Sequence, residues 1–121
     1  MNKKILKLLL ITLSLTANAL PAARQPRCQT DLHFAALHNN ADAIEILLAS
    51  RLVDIDAQDP QGVTALHIAA ANGYGDCVVA LVRKGANIFL TTHKGNTAED
   101  LARKNGNNDI ANYLRKKRLA S

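Results

Sequence analysis

Few side chains in this 121-residue chain are of the types that do chemistry. His33, His38 and His67 are possible metal ligands or proton carriers. Cys28, five residues before His33, could imitate a cysteine–histidine nucleophile pair. Asn72-Gly73-Tyr74-Gly75 sets two glycines ahead of Asp76, half of a phosphate-cradling turn. Arg115-Lys116-Lys117-Arg118 is a basic run of the kind that touches nucleic acid or anionic lipid.

Each of these weakens when its neighbours are read. His33 and His38 are five residues apart, about 140° around a helix, so they share no face for a metal. No His-x3-His, Cys-x2-Cys or acidic cluster accompanies them, and no metal or cofactor is expected. Cys28 has no third group to orient a base and no oxyanion donors. Ser14 lies in the apolar leading stretch, Ser50 at a helix end and Ser121 at the last position, none in a nucleophile-elbow context. The two glycines link helix to helix rather than strand to helix, and the basic run has no interleaved aromatics. The chain therefore reads as a non-enzyme that takes no nucleic acid. A small hydrolase using Cys28 or His33 is the least favoured alternative.

The elements that must position these residues come next. Hydrophobic residues at 48% suffice for a core, while charged residues at 21% argue against disorder throughout and against several membrane spans. Aromatics are only 3%, with no Trp, so the core lacks its usual bulky fillers. One domain is expected at this length. Lys3, Lys4 and Lys7 precede the apolar run Ile5–Leu15, and Ala17-Asn18-Ala19 follows, so residues 1–19 read as a signal peptide cleaved after Ala19. An uncleaved anchor is the alternative. Pro26-Arg27 before Cys28 makes no lipobox. Cleavage removes three of the fifteen Lys and Arg and none of the ten acids, lowering the net charge from +5 to +2. Residues 20–29, with Pro21, Arg24, Pro26 and Arg27, read as an extended leader.

Residues 30–118 repeat. Shifted by 33, Gly62, Thr64, Ala65, Ala69, Asn72, Gly73, Asp76 and Leu81 fall on Gly95, Thr97, Ala98, Ala102, Asn105, Gly106, Asp109 and Leu114. Shifted back by 34, Thr64, Leu66, His67, Ala69, Ala70, Asp76 and Leu81 fall on Thr30, Leu32, His33, Ala35, Ala36, Asp42 and Leu47. The extra residue sits in Ser50–Asp54, where Arg51-Leu52-Val53 replaces Gly85-Ala86. Thr64 is placed to cap a short helix over Ala65–Asn72, and Gly73 to end it in the left-handed conformation. Asn39 stands at that position in the first unit. A second helix runs from Gly75 or Asp76 to Lys84, with Val78, Leu81 and Val82 as its apolar stripe and Gly85 as its stop. Turn signals around Asp59-Pro60-Gln61-Gly62 and Lys94-Gly95 predict hairpin-like connectors.

This unit closely resembles the ankyrin repeat consensus. The likeness rests on Asp59-Pro60-Gln61-Gly62-Val63-Thr64-Ala65-Leu66-His67-Ile68-Ala69-Ala70, then Asn72-Gly73, then Leu81-Val82-Arg83-Lys84-Gly85-Ala86-Asn87. The resemblance implies an all-α ankyrin-repeat solenoid of about three helix-turn-helix units, near residues 28–58, 59–91 and 92–118, with short hairpin loops. It implies a framework of Thr30, His33, Gly62, Thr64, His67, Gly73, Gly85, Gly95, Thr97 and Gly106, whose histidines bond backbone near the hairpins and tie units together. The third unit departs from the pattern at Glu99 and Asp100. With Asn107-Asn108 and the basic run, these read as a C-terminal cap facing water, Arg115–Arg118 being a solvated helix end.

The resemblance further implies a concave face that binds another protein. Its variable positions fall on Leu37, His38, Gln58, Pro60, Gln61, Val63, Ala71, Asn72, Thr91, His93, Lys94, Asn96, Lys104 and Asn105. The expected protein is a monomeric, non-catalytic binding module of the bacterial envelope, periplasmic or secreted, off the membrane once the signal is cleaved. A secreted virulence factor acting on host proteins is the alternative. The register sets Cys28 and Cys77 at opposite ends of the stack, about 12–15 Å apart, whereas a disulfide needs Cα atoms within about 7 Å. The cysteines should stay reduced or pair only between chains, and non-reducing mass spectrometry showing a Cys28–Cys77 bond would refute this register.

Overall fold

Among the described residues, six helices follow one another in three pairs. They are α1 (Asp31–Leu37) with α2 (Ala41–Ala49), α3 (Ala65–Asn72) with α4 (Gly75–Arg83), and α5 (Ala98–Lys104) with α6 (Asn108–Ala120). The structure is a computed structural model and describes residues 31–120, among which there is no strand. The signal segment with Ala19, the leader, Cys28, Thr30 and Ser121 lie outside the described residues.

Local chemistry starts and stops the helices. The Thr64 side chain accepts a hydrogen bond from the His67 amide, and Thr97 accepts one from Asp100. Asn40 does the same for Ala43 at the head of α2. Gly73 ends α3 at φ 79°, and Asn39 takes φ 54° between α1 and α2, so asparagine fills the left-handed position of the first unit. Asp76 in the first turn of α4 and Arg83 in its last complement the helix dipole.

Small residues set the packing distance. Ala36, Ala69, Ala70 and Ala102 are fully buried, and α1, α3 and α5 pack side by side. Each first helix also packs on its own second helix, and α2 packs on α4. Ile44, Val78, Leu81 and Leu114 supply the larger side chains of the core. Cys77 is buried with them, its thiol 3.5 Å from the Asn39 Oδ1, and burial pushes its pKa up. A bond between chains through Cys77 would thus require opening the fold, which narrows the expectation from sequence.

The third unit corrects two readings. Glu99 does not face water: it is 9% exposed, with Oε1 3.1 Å from Arg103 Nη2 and Oε2 3.3 Å from Arg118 Nε. A carboxylate can stand on this end face because two guanidiniums cover it, so Arg118 is no free helix end either. Asn107 turns inward as well, its Nδ2 donating to the carbonyls of Ala70 (2.9 Å) and Ala71 (3.0 Å) at the end of α3. Carbonyls of a last helical turn lack their usual partners; the Gly73 amide reaches that of Ala70 at 3.4 Å, and the next unit adds a donor to both. Lys117 rides over the Tyr113 ring at 5.5 Å, and α6 continues to Ala120.

The inserted connector carries strain. Arg51 adopts φ 58°, the conformation that Gly85 takes at φ 98° after α4. A Cβ in that region costs roughly 1–2 kcal/mol, and glycine avoids the cost at some entropic expense. Arg51→Gly should therefore raise stability by up to about 1 kcal/mol. A calorimetric melting midpoint that stays put or falls would show that Arg51 is held by contacts worth more than the strain.

Candidate functional site

The chemistry of the two core histidines is spent on carbonyl groups. His67 is buried at the head of α3. The Thr64 amide donates to its Nδ1 at 3.1 Å, so Nδ1 carries the lone pair and the proton sits on Nε2. The Thr64 hydroxyl lies 2.8 Å from the same Nδ1. Nε2 then donates across to the next unit, sharing its proton between the carbonyls of Leu90 (3.0 Å) and Asn96 (3.1 Å). His33 repeats the arrangement one unit earlier, with Nε2 donating to the Val63 carbonyl at 2.7 Å. Each histidine thus ties its own first helix to the hairpin that follows, as the resemblance implied.

In the third unit Asp100 occupies this position. Its Oδ2 accepts from the Thr97 amide at 3.0 Å and Thr97 accepts in return, a reciprocal cap. The Thr97 amide holds the Asp100 carboxyl below its usual range, with the Thr97 hydroxyl, Arg103 and Lys104 adding to the effect against some desolvation. A carboxylate cannot donate to a further carbonyl, so the ladder of histidine donors ends here.

The hairpins held by this ladder form a continuous strip. In the first, the Gly62 amide donates to the Asp59 carbonyl (2.8 Å), and Asp59 Oδ1 accepts from Gln61 and Val63 (both 2.9 Å). In the second, the Gly95 amide donates to the Thr92 carbonyl at 2.8 Å. The His93 amide joins the two by donating to the Gln61 carbonyl at 2.9 Å. Gly62 is needed twice over: its φ is +80°, and a Cβ would lie 2.9 Å from His93 Cδ2 and 3.0 Å from the His93 nitrogen. Gln58 ties the strip from below, its Nε2 donating to the carbonyls of Gly62 (3.0 Å) and Thr91 (3.3 Å).

Beside the strip lies an open groove of about 340 Å3. Five candidate residues meet there: Gln61, Val63, His93, Lys94 and Asn96. Val63 and Leu101 give it an apolar floor; Gln61, His93 and Lys94 stand exposed around it. Thr92 and Leu101 were not anticipated. Leu101 falls on Ile68 in the repeat and reads from sequence as core, yet at this edge of the stack it is half-buried.

The other candidates fall elsewhere or are occupied. Pro60 is exposed at the first hairpin tip. Lys104 Nζ donates to Asn96 Oδ1 at 2.9 Å, which places it just behind the groove. The side-chain nitrogens of Asn72 and Asn105 bond back to the carbonyls of Ile68 (2.9 Å) and Leu101 (2.8 Å), four residues earlier in their own helices. Ala71 is half-buried, and Leu37 and His38 are exposed at the end of α1 without joining the groove. The remaining catalytic candidate, Ser50, donates its hydroxyl proton to the Leu47 carbonyl at 2.6 Å. Among the described residues no three His, Cys, Asp or Glu side chains gather where a metal could sit, and no helix is long and apolar enough to cross a membrane.

Helix pairs stacked through a histidine ladder, with a strip of hairpins along one edge, define a repeat solenoid that presents a side rather than a cavity. The sequence profile described as ankyrin repeats (3 copies) matches residues 32–120, and the chain belongs to this family. Ankyrin repeats are protein–protein interaction modules. Among curated relatives, the chain is 34% identical over 82 residues to the B-cell lymphoma 3 protein homolog of Mus musculus, covering 65% of this chain and 18% of that protein. It is 37% identical over 73 residues to the potassium channel AKT2/3 of Arabidopsis thaliana, covering 60% of this chain and 9% of the channel. It is 43% identical over 75 residues to the "Probable 26S proteasome regulatory subunit p28" of Saccharomyces cerevisiae, covering 61% of this chain and 33% of the subunit. The chain thus spans a third or less of the length of these relatives. All three are eukaryotic and lend no support to a bacterial origin.

The ladder has a measurable signature. Burial lowers the His67 pKa below its ordinary 6.5, outweighing the Asn96 and Leu90 carbonyls that pull it up. Between the lowered value and 6.5 the unfolded chain binds more protons than the folded one. The stability His67 contributes is therefore complete above about pH 6.5 and is lost as pH falls below it. His67→Ala should cost about 1–3 kcal/mol near neutral pH through the carbonyls and amide it leaves unpaired. Its melting midpoint should also fall less steeply than that of the wild type on acidification. A mutant melt identical to the wild type would remove His67 from the framework.

Proposed function

We propose that this chain is a non-catalytic protein-binding module that takes its partner in the groove beside the hairpin tips. The observation that supports this most is the division of labour along each hairpin. Asp59, Gly62, Thr64 and His67 are consumed by internal hydrogen bonds, whereas Gln61, His93 and Lys94 project from the same turns with their side chains exposed. Val63 and Leu101 add an apolar floor that a partner side chain would cover. The groove is mildly basic and lacks Trp, Tyr and Arg, so a modest affinity is expected, with acidic groups on the partner.

The proposal includes an exported bacterial protein, periplasmic or secreted, as the place of action. Its support is the basic start at Lys3, Lys4 and Lys7, the apolar run to Leu15 and the small residues at Ala17 and Ala19, all outside the described residues. Amino-terminal sequencing of the protein from fractionated cells would find Leu20 first if this is right, and Met1 in a cytoplasmic fraction if it is wrong.

Capture of partners from the envelope fraction tests the groove. Replacing Gln61, His93 and Lys94 together by Glu should leave the melt nearly unchanged, since exposed substitutions act within about 0.5 kcal/mol. The same change should abolish capture, because mismatched charge across an interface costs several kcal/mol. Lys116→Glu with Lys117→Glu is the control. Loss of the partner in the control and its retention in the groove variant would move binding to the basic tail.

A further inference from the structure

We propose that this chain associates with copies of itself head to tail, the outer face of its first unit seating on the outer face of the third unit of a second copy. This departs from the monomer expected from sequence. The repeat register carries the argument. A shift of 34 sets Phe34 on Ile68 and Ile46 on Ala80. In the middle unit, which has a neighbour on either side, those positions are 8% and 5% exposed; in the first unit they are 50% and 70% exposed. At the other end, the positions held by Leu66, Ala70 and Val82 in the middle unit carry Glu99, Arg103 and Arg115. These line an open cleft of about 370 Å3 that also includes Ile88, Phe89 and Leu114. Apolar knobs at one end and a cleft at the other are two halves of the contact that the chain already makes twice within itself.

The charges choose the pairing. Helices α1 and α2 carry Asp31, Asp42 and Glu45, all exposed, and no Lys or Arg. Asp31 precedes Phe34 by three residues and Asp42 precedes Ile46 by four, so each knob shares a helix face with an acid. Beyond Asp109, α6 carries Arg115, Lys116, Lys117 and Arg118 and no acid. Arg115 lines the cleft and forms no ion pair among the described residues. First face against first face would oppose acid to acid. The third face also holds Glu99 and Asp100, but these are paired with Arg103 and Arg118, so third against third would oppose one uncompensated Arg115 to another. Head to tail is the arrangement that brings uncompensated opposite charges together. Such a contact does not close on itself and gives open chains of variable length. Asp100, standing where a histidine donor would be, offers no hydrogen bond to the incoming unit. The contact therefore leans on charge and should weaken sharply with salt.

Sedimentation equilibrium of the whole chain decides this. At about 0.01 M ionic strength, where the Debye length is about 30 Å, the weight-average mass should climb with concentration without reaching a plateau. At about 1 M, with screening within about 3 Å, it should return toward the monomer. Phe34→Lys with Ile46→Lys removes one end, and Phe89→Asp with Arg115→Glu removes the other. Each variant alone should stay monomeric, and an equal mixture should stop at about twice the monomer mass, because each supplies the end that the other lacks. Circular dichroism melts establish that both variants are folded. Single substitutions Ile46→Lys and Arg115→Glu replace any double that is not. A constant monomer mass at low salt overturns the proposal. So does growth in mass that neither variant reduces, which would assign association to residues 1–30. Wild-type association without pairing in the mixture would mean a same-end contact and overturns it as well.

Discussion

The interaction on which the rest depends is the proton that each core histidine gives to the following hairpin. His33 reaches Val63, and His67 reaches Leu90 and Asn96, with no strand pairing along the strip to do the same work. The hydrophobic alternative is thin. Burial stabilises by about 25 cal/mol per Å2 of apolar surface, and a core built on Ala36, Ala69, Ala70 and Ala102 offers little surface per residue. Helices with small faces approach closely but slide easily. A net gain of about 1 kcal/mol per hydrogen bond, with a larger penalty for leaving a buried carbonyl bare, is then enough to select one register.

From that register the hairpins inherit their alignment. The His93 amide finds the Gln61 carbonyl, and Gly62 leaves the room that lets the two tips touch. The groove exists because both tips are held at one height beside α5. Asp59, Thr64 and His67, which help make the unit recognisable, are taken up by internal hydrogen bonds, whereas the side chains of Gln61, His93 and Lys94 stand exposed on the same strip. One framework can serve proteins with unlike names, as the mouse, plant and yeast relatives illustrate. Family membership accordingly speaks to scaffold more than to partner.

The two ends of the stack solve the problem of stopping in different ways. At the carboxy-terminal end the donor histidine gives way to Asp100, and the buried leucine position holds Glu99 under Arg103 and Arg118. A charge on that face tolerates water yet can be nearly covered by its own neighbours. The amino-terminal end keeps apolar side chains at Phe34 and Ile46. Among the described residues the stack is consequently polar along its axis, with acidic and apolar helices in its first unit and a basic last helix in its third.

Much of this was legible in the chain. The 33- and 34-residue shifts located all three units. Thr64 and Gly73 bounded α3 as they stand, and Asn39 announced its left-handed turn, because caps and turns are decided within four or five residues. The role of His67 came through resemblance to a family rather than from spacing. Only the tertiary structure decided where the polar residues of the last unit point. Glu99 and Asn107 read as water-facing because sequence records polarity, whereas Arg118, nineteen residues away, and the carbonyls of Ala70 and Ala71, more than thirty away, are what draw them inward. The groove was half legible for the same reason: Gln61, His93 and Lys94 announce themselves as turn residues. Leu101 shows its exposed side only once the stack places it at an edge. Local chemistry is written in adjacent residues, and burial belongs to residues that meet only on folding.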